Sequence, residues 1–244
     1  MKRLVMLLGG KGGTGKTTFG RLLVDELCRL GVEYLAFDAD KENPDFHAFY
    51  QNFGTGVRLL DLLEIKQAKH FFTQLKEEDP SVVVCDLPGA TGEKLRQIIE
   101  TFNLFKVATD LGYGCTIVSV LNLGRSPIRS LRVMHDFCAE RADYVVVRNL
   151  CWGKAEEFVR WEGSETRKSI LAAGGIEIQL PALEASVFDQ LEDSNMAFSQ
   201  AISADDFPFG DSLMVDAFLS LARPELEKAG EYLGLATAGN LVSA

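Results

Sequence analysis

Residues 10–18 of the chain read GKGGTGKTT, and this stretch decides the fold. It follows a short apolar run, Lys2 to Leu8, and it leads into Thr17 to Leu30, where apolar residues recur at helical spacing. The apolar run is too short for a core helix and therefore predicts a buried strand. A glycine loop between a strand and a helix exposes backbone N–H groups and the positive end of the helix dipole. The stretch therefore predicts a loop that cradles phosphate groups.

Each residue type in this loop has a chemical reason to be there. Glycines let the backbone approach a polyphosphate closely, Lys16 is expected to reach the β- and γ-phosphates, and the hydroxyl of Thr17 is expected to hold Mg²⁺. A tight glycine turn with a surface lysine is the alternative, and the strand before the loop and the helix after it argue against that alternative. The other residues that we expect to bind the nucleotide are Gly12, Gly13, Thr14, Gly15 and Thr18.

An acidic residue at the end of a neighbouring buried strand is the second requirement of such a site. The run VVVC at residues 82–85 ends in Asp86, which is placed to bind a water on Mg²⁺. The residues that follow are Leu87, Pro88 and Gly89, and the backbone N–H of Gly89 is expected to approach the γ-phosphate. A loop built in this way senses whether the γ-phosphate is present.

The remaining pattern alternates strands with helices. This alternation predicts an α/β fold with a doubly wound, mostly parallel sheet and helices on both faces. We expect one domain over residues 1–235 and a flexible tail over residues 236–244. The charged residues 151–175 are the segment in which we expect most mobility. Further strands are predicted at Val32 to Phe37, Ser81 to Cys85, Thr116 to Leu121, Tyr144 to Val147 and Ile176 to Leu180. Helices are predicted at Leu59 to Leu75, Ser126 to about Ala142 and Ser212 to Leu235, and one or two helices over Gly92 to Leu111.

The loop with its extra lysine, Lys11, resembles the deviant Walker A box of the ParA/MinD ATPase family. In that family this lysine contacts the nucleotide held by the other subunit of a face-to-face dimer. The resemblance therefore implies an ATP-dependent homodimer that binds ATP or ADP with Mg²⁺ and hydrolyses ATP. Lys11 and Lys16 are then catalytic. A solvated surface lysine is the alternative for Lys11.

Two acidic residues match the family's switch I pattern. By the resemblance, Asp38 assists at the Mg²⁺ shell and Asp40 orients or activates the attacking water. A carboxylate near the γ-phosphate can place water in line for attack, which agrees with that role. The alternative for either aspartate is that it caps the turn that follows. ParA partition proteins usually follow the second aspartate with proline and glutamine, whereas KEN follows it here at residues 41–43.

Base recognition rests on two residues at strand ends. Asn149 follows the strand that ends near Val147, as the family's adenine-contacting asparagine does, and Pro181 follows the next strand, as its adenine-flanking proline does. An amide presents both a donor and an acceptor to a purine edge. An ordinary turn asparagine is the alternative.

Composition narrows the list of partners. Residues 1–175 carry 23 acidic and 23 basic side chains, whereas residues 176–244 carry 12 acidic and 2 basic ones. The C-terminal third therefore repels nucleic-acid phosphates and anionic lipids, so nonspecific DNA binding is disfavoured and no membrane attachment is expected. No signal-peptide or membrane-length pattern is present, so we expect a cytoplasmic protein. The five cysteines and three histidines are scattered, which predicts buried reduced thiols rather than a zinc or iron–sulfur site.

One basic stripe and one apolar helix stay open at this stage. Arg125, Arg129 and Arg132 lie on one side of a helix start, where they either bind phosphates or an acidic partner, or form a solvated face with local ion pairs. The helix from Ser212 to Leu235 is expected to pack on the core rather than to anchor in a membrane.

Three functions fit these residues. The first is an ATP-driven dimer switch for plasmid partition, positioning or conjugal transfer. Such a switch hydrolyses ATP slowly and needs a stimulating partner, because we identify no arginine finger in the chain itself. The second is a metabolic enzyme of the related synthetase branch, which normally lacks the signature lysine. The third is an ATP-binding adaptor with little turnover.

Overall fold

The computed structural model describes residues 1–10, 13–89 and 91–235. Seven strands form one sheet in the order β3-β2-β4-β1-β5-β6-β7, and every neighbouring pair is parallel. The strands are β1 (Lys2–Leu8), β2 (Tyr34–Asp38), β3 (Val57–Leu59), β4 (Val82–Asp86), β5 (Tyr113–Leu121), β6 (Asp143–Asn149) and β7 (Ile176–Leu180).

Helices connect the strands and cover the sheet. Those in the described residues are α1 (Lys16–Arg29), α2 (Asp45–Tyr50), α3 (Ile65–Glu78), α4 (Gly92–Phe102), α5 (Leu104–Asp110), α6 (Ser126–Cys138), α7 (Val159–Glu162), α8 (Glu165–Ala172), α9 (Ala185–Asp193), α10 (Phe198–Ser203), α11 (Phe209–Lys228) and α12 (Gly230–Leu233). Short 3₁₀ turns occur at Ala139–Arg141, Leu150–Trp152 and Ala155–Glu157.

Two apolar cores lie on opposite faces of the sheet. In β1, Val5 and Leu7 pack into one core and Leu4 and Met6 into the other, because successive side chains of a strand point to opposite faces. The first core is closed by α1, α2 and α9 to α12, and the second by α3 to α8. The predicted doubly wound, parallel α/β fold is therefore confirmed.

Strand β1 lies at the point where the order of the sheet reverses. Its two neighbours in the sheet are β4 and β5. After β1 the chain passes first to β2, which lies on the far side of β4. Ligands of open α/β sheets bind outside the carboxyl ends of the strands at such a switch point. The glycine loop after β1 and Asp86 at the end of β4 both lie at this edge.

The prediction from the sequence pattern was wrong over residues 57–64. The pattern predicts one helix from Leu59 to Leu75, but Val57–Leu59 forms β3 and the helix begins only at Ile65. The parallel pairing of Ala36 with Val57 adds this short strand to the edge of the sheet, which local periodicity could not reveal.

Residues 151–175 are folded against the second core. Phe158, Trp161 and Ile170 are buried there, and the indole N–H of Trp161 donates a 2.6 Å hydrogen bond to Glu177. Among the cysteines, Cys85, Cys115 and Cys138 are buried and all five are free, whereas Cys28 and Cys151 are exposed, so the prediction of burial was wrong for those two.

In the described part of the chain, no helix combines the length and the apolarity that a membrane span requires. The helix predicted at Ser212 to Leu235 is α11 followed by α12, and its buried residues, among them Phe218 and Leu226, pack on the first core as expected. One domain over residues 1–235 stays a prediction, and residues 236–244 lie outside the described residues.

Candidate functional site

The glycine loop leaves β1 and enters α1 through Gly15. Gly15 has a positive φ of 97°, and a Cβ atom on it would lie 2.2 Å from Nδ2 of Asn149. The position therefore requires glycine for both its conformation and its space. Two residues with predicted roles, Lys11 and Gly12, lie outside the described residues.

The first turn of α1 has the properties of an anion site. It contains no acidic side chain, and no side chain caps its N–H groups. These N–H groups have no intrahelical partner, and the helix dipole adds positive potential at the same place. Lys16 is the first residue of the helix and is buried at 9% exposure. The N-terminus of α1 therefore carries a positive potential, and no carboxylate in its first turn neutralises this potential.

Thr17 and Asp86 meet across the loop. Thr17 Oγ1 donates a 2.6 Å hydrogen bond to Asp86 Oδ2, and the other oxygen of Asp86, Oδ1, is buried with no hydrogen-bond partner among the described residues. The register of the sheet sets this geometry, because Asp86 pairs with Leu7 of β1 on one side and with Asp38 of β2 on the other. The carboxylate oxygen left without a partner among the described residues marks a place for a ligand.

The electrostatics of these carboxylates favour a bound cation. Burial raises the pKa of Asp86 to about 6, and the charges of Asp38 and Asp40 add to this increase, while Lys16 and the Thr17 hydrogen bond oppose it. A divalent cation would favour the ionised carboxylates. No group of three His, Cys, Asp or Glu side chains in the described ranges is arranged to hold a metal alone. The residues present fit Mg²⁺, which binds through one or two carboxylates together with substrate phosphates.

Asp38 organises the loop that follows β2. Its Oδ1 accepts the N–H of Asp40 at 2.9 Å and its Oδ2 accepts the N–H of His47 at 3.0 Å. Burial raises the pKa of this carboxyl and the two backbone hydrogen bonds lower it. Both oxygens therefore hold the turn, which is the capping role that the sequence left open, and each oxygen keeps a second lone pair that can accept a hydrogen bond from the Mg²⁺ shell.

Asp40 has a divided role. Its Oδ1 accepts the N–H groups of Glu42 and Asn43, each at 3.1 Å, so one oxygen caps a turn. The residue also lines a polar cavity of about 710 Å³ between the loop after β2 and the loop after β4, together with Pro88 and Gly89. The structure thus brings Asp40 and Gly89 to one cavity, and within the described residues the second oxygen of Asp40 accepts no hydrogen bond.

A second cavity, of about 360 Å³, lies on the other side of the loop. Gly13 and Thr18 of the loop region line it together with Asn149 and Pro181, the two residues that the sequence analysis assigned to base recognition. Asn149 Nδ2 donates to the carbonyl oxygen of Thr14 at 2.9 Å, and its Oδ1 accepts the N–H of Cys151 at 3.1 Å. One N–H and one lone pair of this amide are still available to a purine edge.

Aromatic residues that the sequence analysis missed complete this pocket. Trp152 and Phe188 both line it, and Trp152 is 46% exposed. Flat apolar walls of this kind suit a nucleobase. Trp152 lies only three positions after Asn149, so its nearness to the predicted base contact was a usable signal. Phe188 gave no such signal, because α9 is distant from the glycine loop in sequence and lies beside the pocket only in the tertiary structure.

Arg21 links the base pocket to α2, the helix that follows the loop of Asp38 and Asp40. This buried guanidinium lies over the rings of Phe49 and Tyr50 in α2, 4.7 and 5.5 Å from their centroids, and 5.1 Å from that of Phe188 in α9. Its Nη1 is 3.3 Å from Glu192. Cation–π contacts strengthen when the cation is desolvated, so Arg21 stabilises the mutual packing of α1, α2 and α9.

The arginines of the predicted basic stripe are all exposed, but they differ in their ion pairing. Arg132 forms an ion pair with Asp136, which fits the solvated-face alternative. Arg125 and Arg129 are exposed and make no ion pair within the described residues. They lie near the glycine loop, since a Cβ atom on Gly10 would be 2.7 Å from Oγ of Ser126, at the start of α6.

Comparisons with known proteins identify the fold of the chain. No family model matches it. The chain is 26% identical over 228 residues to protein MobD of Acidithiobacillus ferrooxidans. The aligned region covers 93% of this chain and 98% of that protein. A chain of the MinC:MinD cell division protein complex of Aquifex aeolicus superposes with a TM-score of 0.53 and 17% identity, covering 91% of this chain and 96% of its own. The cell division ATPase MinD of Pyrococcus furiosus gives a TM-score of 0.50 and 15% identity, with coverage of 92% and 99%.

These likenesses extend over nearly the whole length of the chain. The structural neighbours are MinD-type proteins with a P-loop nucleotide-binding fold, as the resemblance in the glycine loop predicted. At identities of 15 and 17%, the neighbours establish the fold alone. Activity therefore has to be argued from the site.

Proposed function

We propose that this protein is an ATP-dependent molecular switch. It binds ATP with Mg²⁺ in the glycine loop, forms a homodimer in the ATP state, hydrolyses ATP slowly and thereby changes its affinity for a partner protein. The cytoplasm is the compartment that we propose for it.

The arrangement of Thr17 and Asp86 carries this proposal. A 2.6 Å hydrogen bond joins the two side chains beside the uncapped N-terminus of α1, and the second Asp86 oxygen is buried without a partner among the described residues. A hydroxyl and a carboxylate at the end of a phosphate loop form the protein half of a nucleotide-bound Mg²⁺ site. A purely structural turn gives no reason to bury that oxygen unpaired.

The residues divide the chemistry among them. Lys16 and the N–H groups of the loop and of the α1 start hold the phosphates, while Thr17 and Asp86 hold the metal, which neutralises charge on the β- and γ-phosphates. Asp40 positions the attacking water from the polar cavity. Phosphoryl transfer depends on such positioning and charge more than on a strong base, so this set is sufficient for slow hydrolysis. Asp38 holds the loop that carries Asp40.

The homodimer rests on the resemblance of the loop to that of the ParA/MinD family. Its key residue, Lys11, lies outside the described residues, so the contact across the dimer is proposed from the sequence. One structural neighbour was solved as a complex of MinC with MinD, which supports partner binding as a use of this fold. We propose that such a partner stimulates the hydrolysis here.

The process that the switch serves is plasmid partition, positioning of a cargo, or conjugal transfer. Nonspecific DNA binding is not needed for the proposal, and the charge of residues 176–235 argues against it on that side of the molecule. Arg125 and Arg129 are the exposed cations to replace if a salt-dependent DNA-binding assay is positive.

An adaptor that holds ATP with little turnover is the second candidate. The observation in its favour is that one oxygen of Asp40 already caps the following turn. A role confined to that cap would leave the γ-phosphate without a residue to position water.

Light scattering coupled to size-exclusion chromatography tests the switch. Wild-type protein with MgATP should elute as a dimer and with MgADP as a monomer, and phosphate release should continue at a low rate. A protein that binds ATP but stays monomeric at saturating nucleotide would exclude the dimer switch. Dimers without phosphate release would favour the adaptor.

A further inference from the structure

Helix α11 has an apolar side that faces the core and a second apolar side that faces solvent. Val215, Phe218, Leu219 and Ala222 are buried in the first core. On the opposite side, Phe209, Leu213, Ala217 and Leu221 follow one another at intervals of four and are exposed; they are called the α11 stripe below. A helix that is apolar on both sides is expected to be covered on both sides.

The α11 stripe is continuous and strongly exposed. Phe209 is 77% exposed, Leu213 54% and Leu221 64%. Single exposed apolar residues are ordinary, but a row of them along three turns of a helix marks an interaction site. At 1.5 Å per residue the stripe is about 18 Å long, which matches about three turns of a second helix packed along it.

The α11 stripe leads to the candidate base pocket. Leu221 shares a shallow cavity of about 660 Å³ with Trp152 and Pro181. Trp152 and Pro181 also line the base pocket itself. A ligand on the stripe would therefore contact residues that form the wall of that pocket.

The charges around the α11 stripe are mostly negative. Asp205 and Asp206 precede the helix, Asp216 and Glu227 are exposed along it, and Lys154 is an exposed cation in the cavity that Leu221 shares with Trp152. The two basic residues of this part of the chain are both paired, Arg223 with Glu26 and Lys228 with Glu225. The surface therefore presents an apolar row whose border is acidic except for Lys154 at its Leu221 end.

From this pattern we propose that the α11 stripe docks a basic amphipathic helix of a partner protein. Apolar residues of that helix cover the stripe and its Lys or Arg side chains face the acidic border. A second copy of this chain is a poor occupant, because a two-fold contact would place the same carboxylates against each other. An anionic membrane is repelled by the same charges. Residues 236–244 contain no basic side chain that could form an ion pair with the carboxylates beside the stripe.

Docking at this place gives the partner access to the nucleotide. The partner helix would press on Trp152 and Pro181, so its binding and the occupancy of the base pocket would affect each other. This coupling rests on the proposed function, whereas the docking itself does not. The test is therefore made first on nucleotide-free protein.

A synthetic helix of Leu and Lys, with Leu on one side, is the probe. Its fluorescein-labelled form should bind the nucleotide-free protein in an anisotropy titration, more weakly as salt increases. A peptide of the same composition with a scrambled order, which has no apolar side, should bind at least about tenfold more weakly, corresponding to about 1.4 kcal/mol. Equal binding of the two peptides would overturn the proposal, because it would show attraction by charge alone.

Matched variants locate the contact. Leu213→Ser with Leu221→Ser should weaken binding of the probe about tenfold. Leu171→Ser, which alters a leucine that is 40% exposed on α8, should leave it unchanged. Gly210→Gln adds bulk beside the stripe, where a Cβ would meet no atom within 4 Å, and should also weaken binding without loss of thermal stability. If both stripe variants bind like wild type, the site lies elsewhere and the proposal is wrong.

Two further measurements exclude other occupants. Sedimentation with vesicles of phosphatidylcholine and phosphatidylserine should leave the protein in the supernatant, and co-sedimentation abolished by the stripe variants would overturn the proposal in favour of a membrane. A dimer in MgATP that the double serine variant converts to monomer would overturn it in favour of a second copy. Lys16→Ala should bind the probe like wild type, so a failed P-loop assignment and a failed docking surface are told apart.

Discussion

Asn149 Nδ2 donates a hydrogen bond of 2.9 Å to the carbonyl oxygen of Thr14, which fastens the end of β6 to the glycine loop. The contact is buried, and the same amide accepts the N–H of Cys151 with its oxygen. Gly15 leaves the space that the Asn149 amide occupies. The residue with the predicted base contact is thus also a support of the loop itself.

Replacing Asn149 by Ala should weaken both nucleotide binding and the fold. The change leaves the buried carbonyl of Thr14 and the partly buried N–H of Cys151 without these partners. A buried polar group that loses its partner costs roughly 1–3 kcal/mol of folding free energy. Calorimetric titration with ATP and thermal unfolding should both record a loss. Asn122→Ala is the control, because its side chain holds only a turn in the loop after β5. An Asn149→Ala protein with unchanged affinity and stability would contradict the role of this contact.

Replacing Lys16 by Ala should abolish nucleotide binding at concentrations that saturate the wild type. The ammonium group is the main positive side-chain charge at the buried loop end of α1, and a charged hydrogen bond contributes about 1.5–3 kcal/mol. Fluorescence titration with a labelled ATP measures the loss. Lys66→Ala, on the exposed side of α3, is the matched control. Unchanged affinity in the Lys16 variant would remove the glycine loop from the site.

Replacing Asp40 by Ala should stop turnover while keeping the ATP dimer. The variant removes the carboxylate proposed to place water, but it leaves Lys16, Thr17 and Asp86 in position to bind MgATP. Chromatography with light scattering and phosphate release are measured on the same sample.

Asp40→Asn separates the two roles of this side chain. The amide oxygen of Asn can still cap Glu42 and Asn43, so a structural role alone predicts normal hydrolysis in the Asn variant. If Asp40 positions the attacking water, both Asp40→Ala and Asp40→Asn should lose ATP hydrolysis. Normal hydrolysis in Asp40→Ala would take Asp40 out of the mechanism.

The parts of the fold that the sequence predicted are those with a local signal. Lys2–Leu8 is an apolar run of strand length, and the glycine loop that follows separates this strand from helix α1. Ile176–Leu180 was predicted with its bounds as observed. In Lys2–Leu8, burial on both sides of the parallel sheet produces a continuous apolar run from Leu4 to Leu8. Ile176–Leu180 lies at the edge of the sheet and alternates apolar with polar residues, which is a strand period visible in the sequence.

The parts that it missed depend on contacts distant in sequence. Val57–Leu59 becomes a strand because β2 offers it an edge, and a three-residue strand has no period to recognise. Phe188 reaches the base pocket from α9, far along the chain from the loop. The capping bonds of Asp38 depend on where His47 lies, so the sequence could name the aspartate and its alternatives but not choose between them.

Trp152 should report nucleotide binding by fluorescence. The chain has two tryptophans; Trp161 is buried on the other face of the sheet, and Trp152 lines the base pocket. ATP should therefore change the emission of wild-type protein and of Trp161→Phe, whereas Trp152→Phe should show no change. Trp152→Ala should bind ATP about 5–10-fold more weakly, since stacking of a base on an aromatic side chain contributes about 1–3 kcal/mol. A nucleotide-dependent signal that survives in Trp152→Phe would place the base elsewhere.

Asp25 should make stability depend on pH in a predictable direction. This carboxylate is buried in α1, and burial raises its pKa above the usual range, although hydrogen bonds from the N–H and hydroxyl of Ser199 lower it in part. The native state therefore holds the proton more tightly than the unfolded chain. The stabilisation from this group is fully present below the unfolded pKa, about 3.9, and is lost as pH rises through the raised pKa.

The comparison of wild type with Asp25→Asn isolates that contribution from the other carboxylates. As pH falls through the raised pKa, the free energy of unfolding of wild type should increase relative to the variant, by at most about 1.4 kcal/mol per pH unit. Urea unfolding at several pH values between neutrality and the usual aspartate range measures the difference. Asp110→Asn, at an exposed pair with Lys106, is the control and should show no such trend. A difference that stays constant with pH, or that changes in the opposite direction, would mean that burial does not raise the pKa of Asp25.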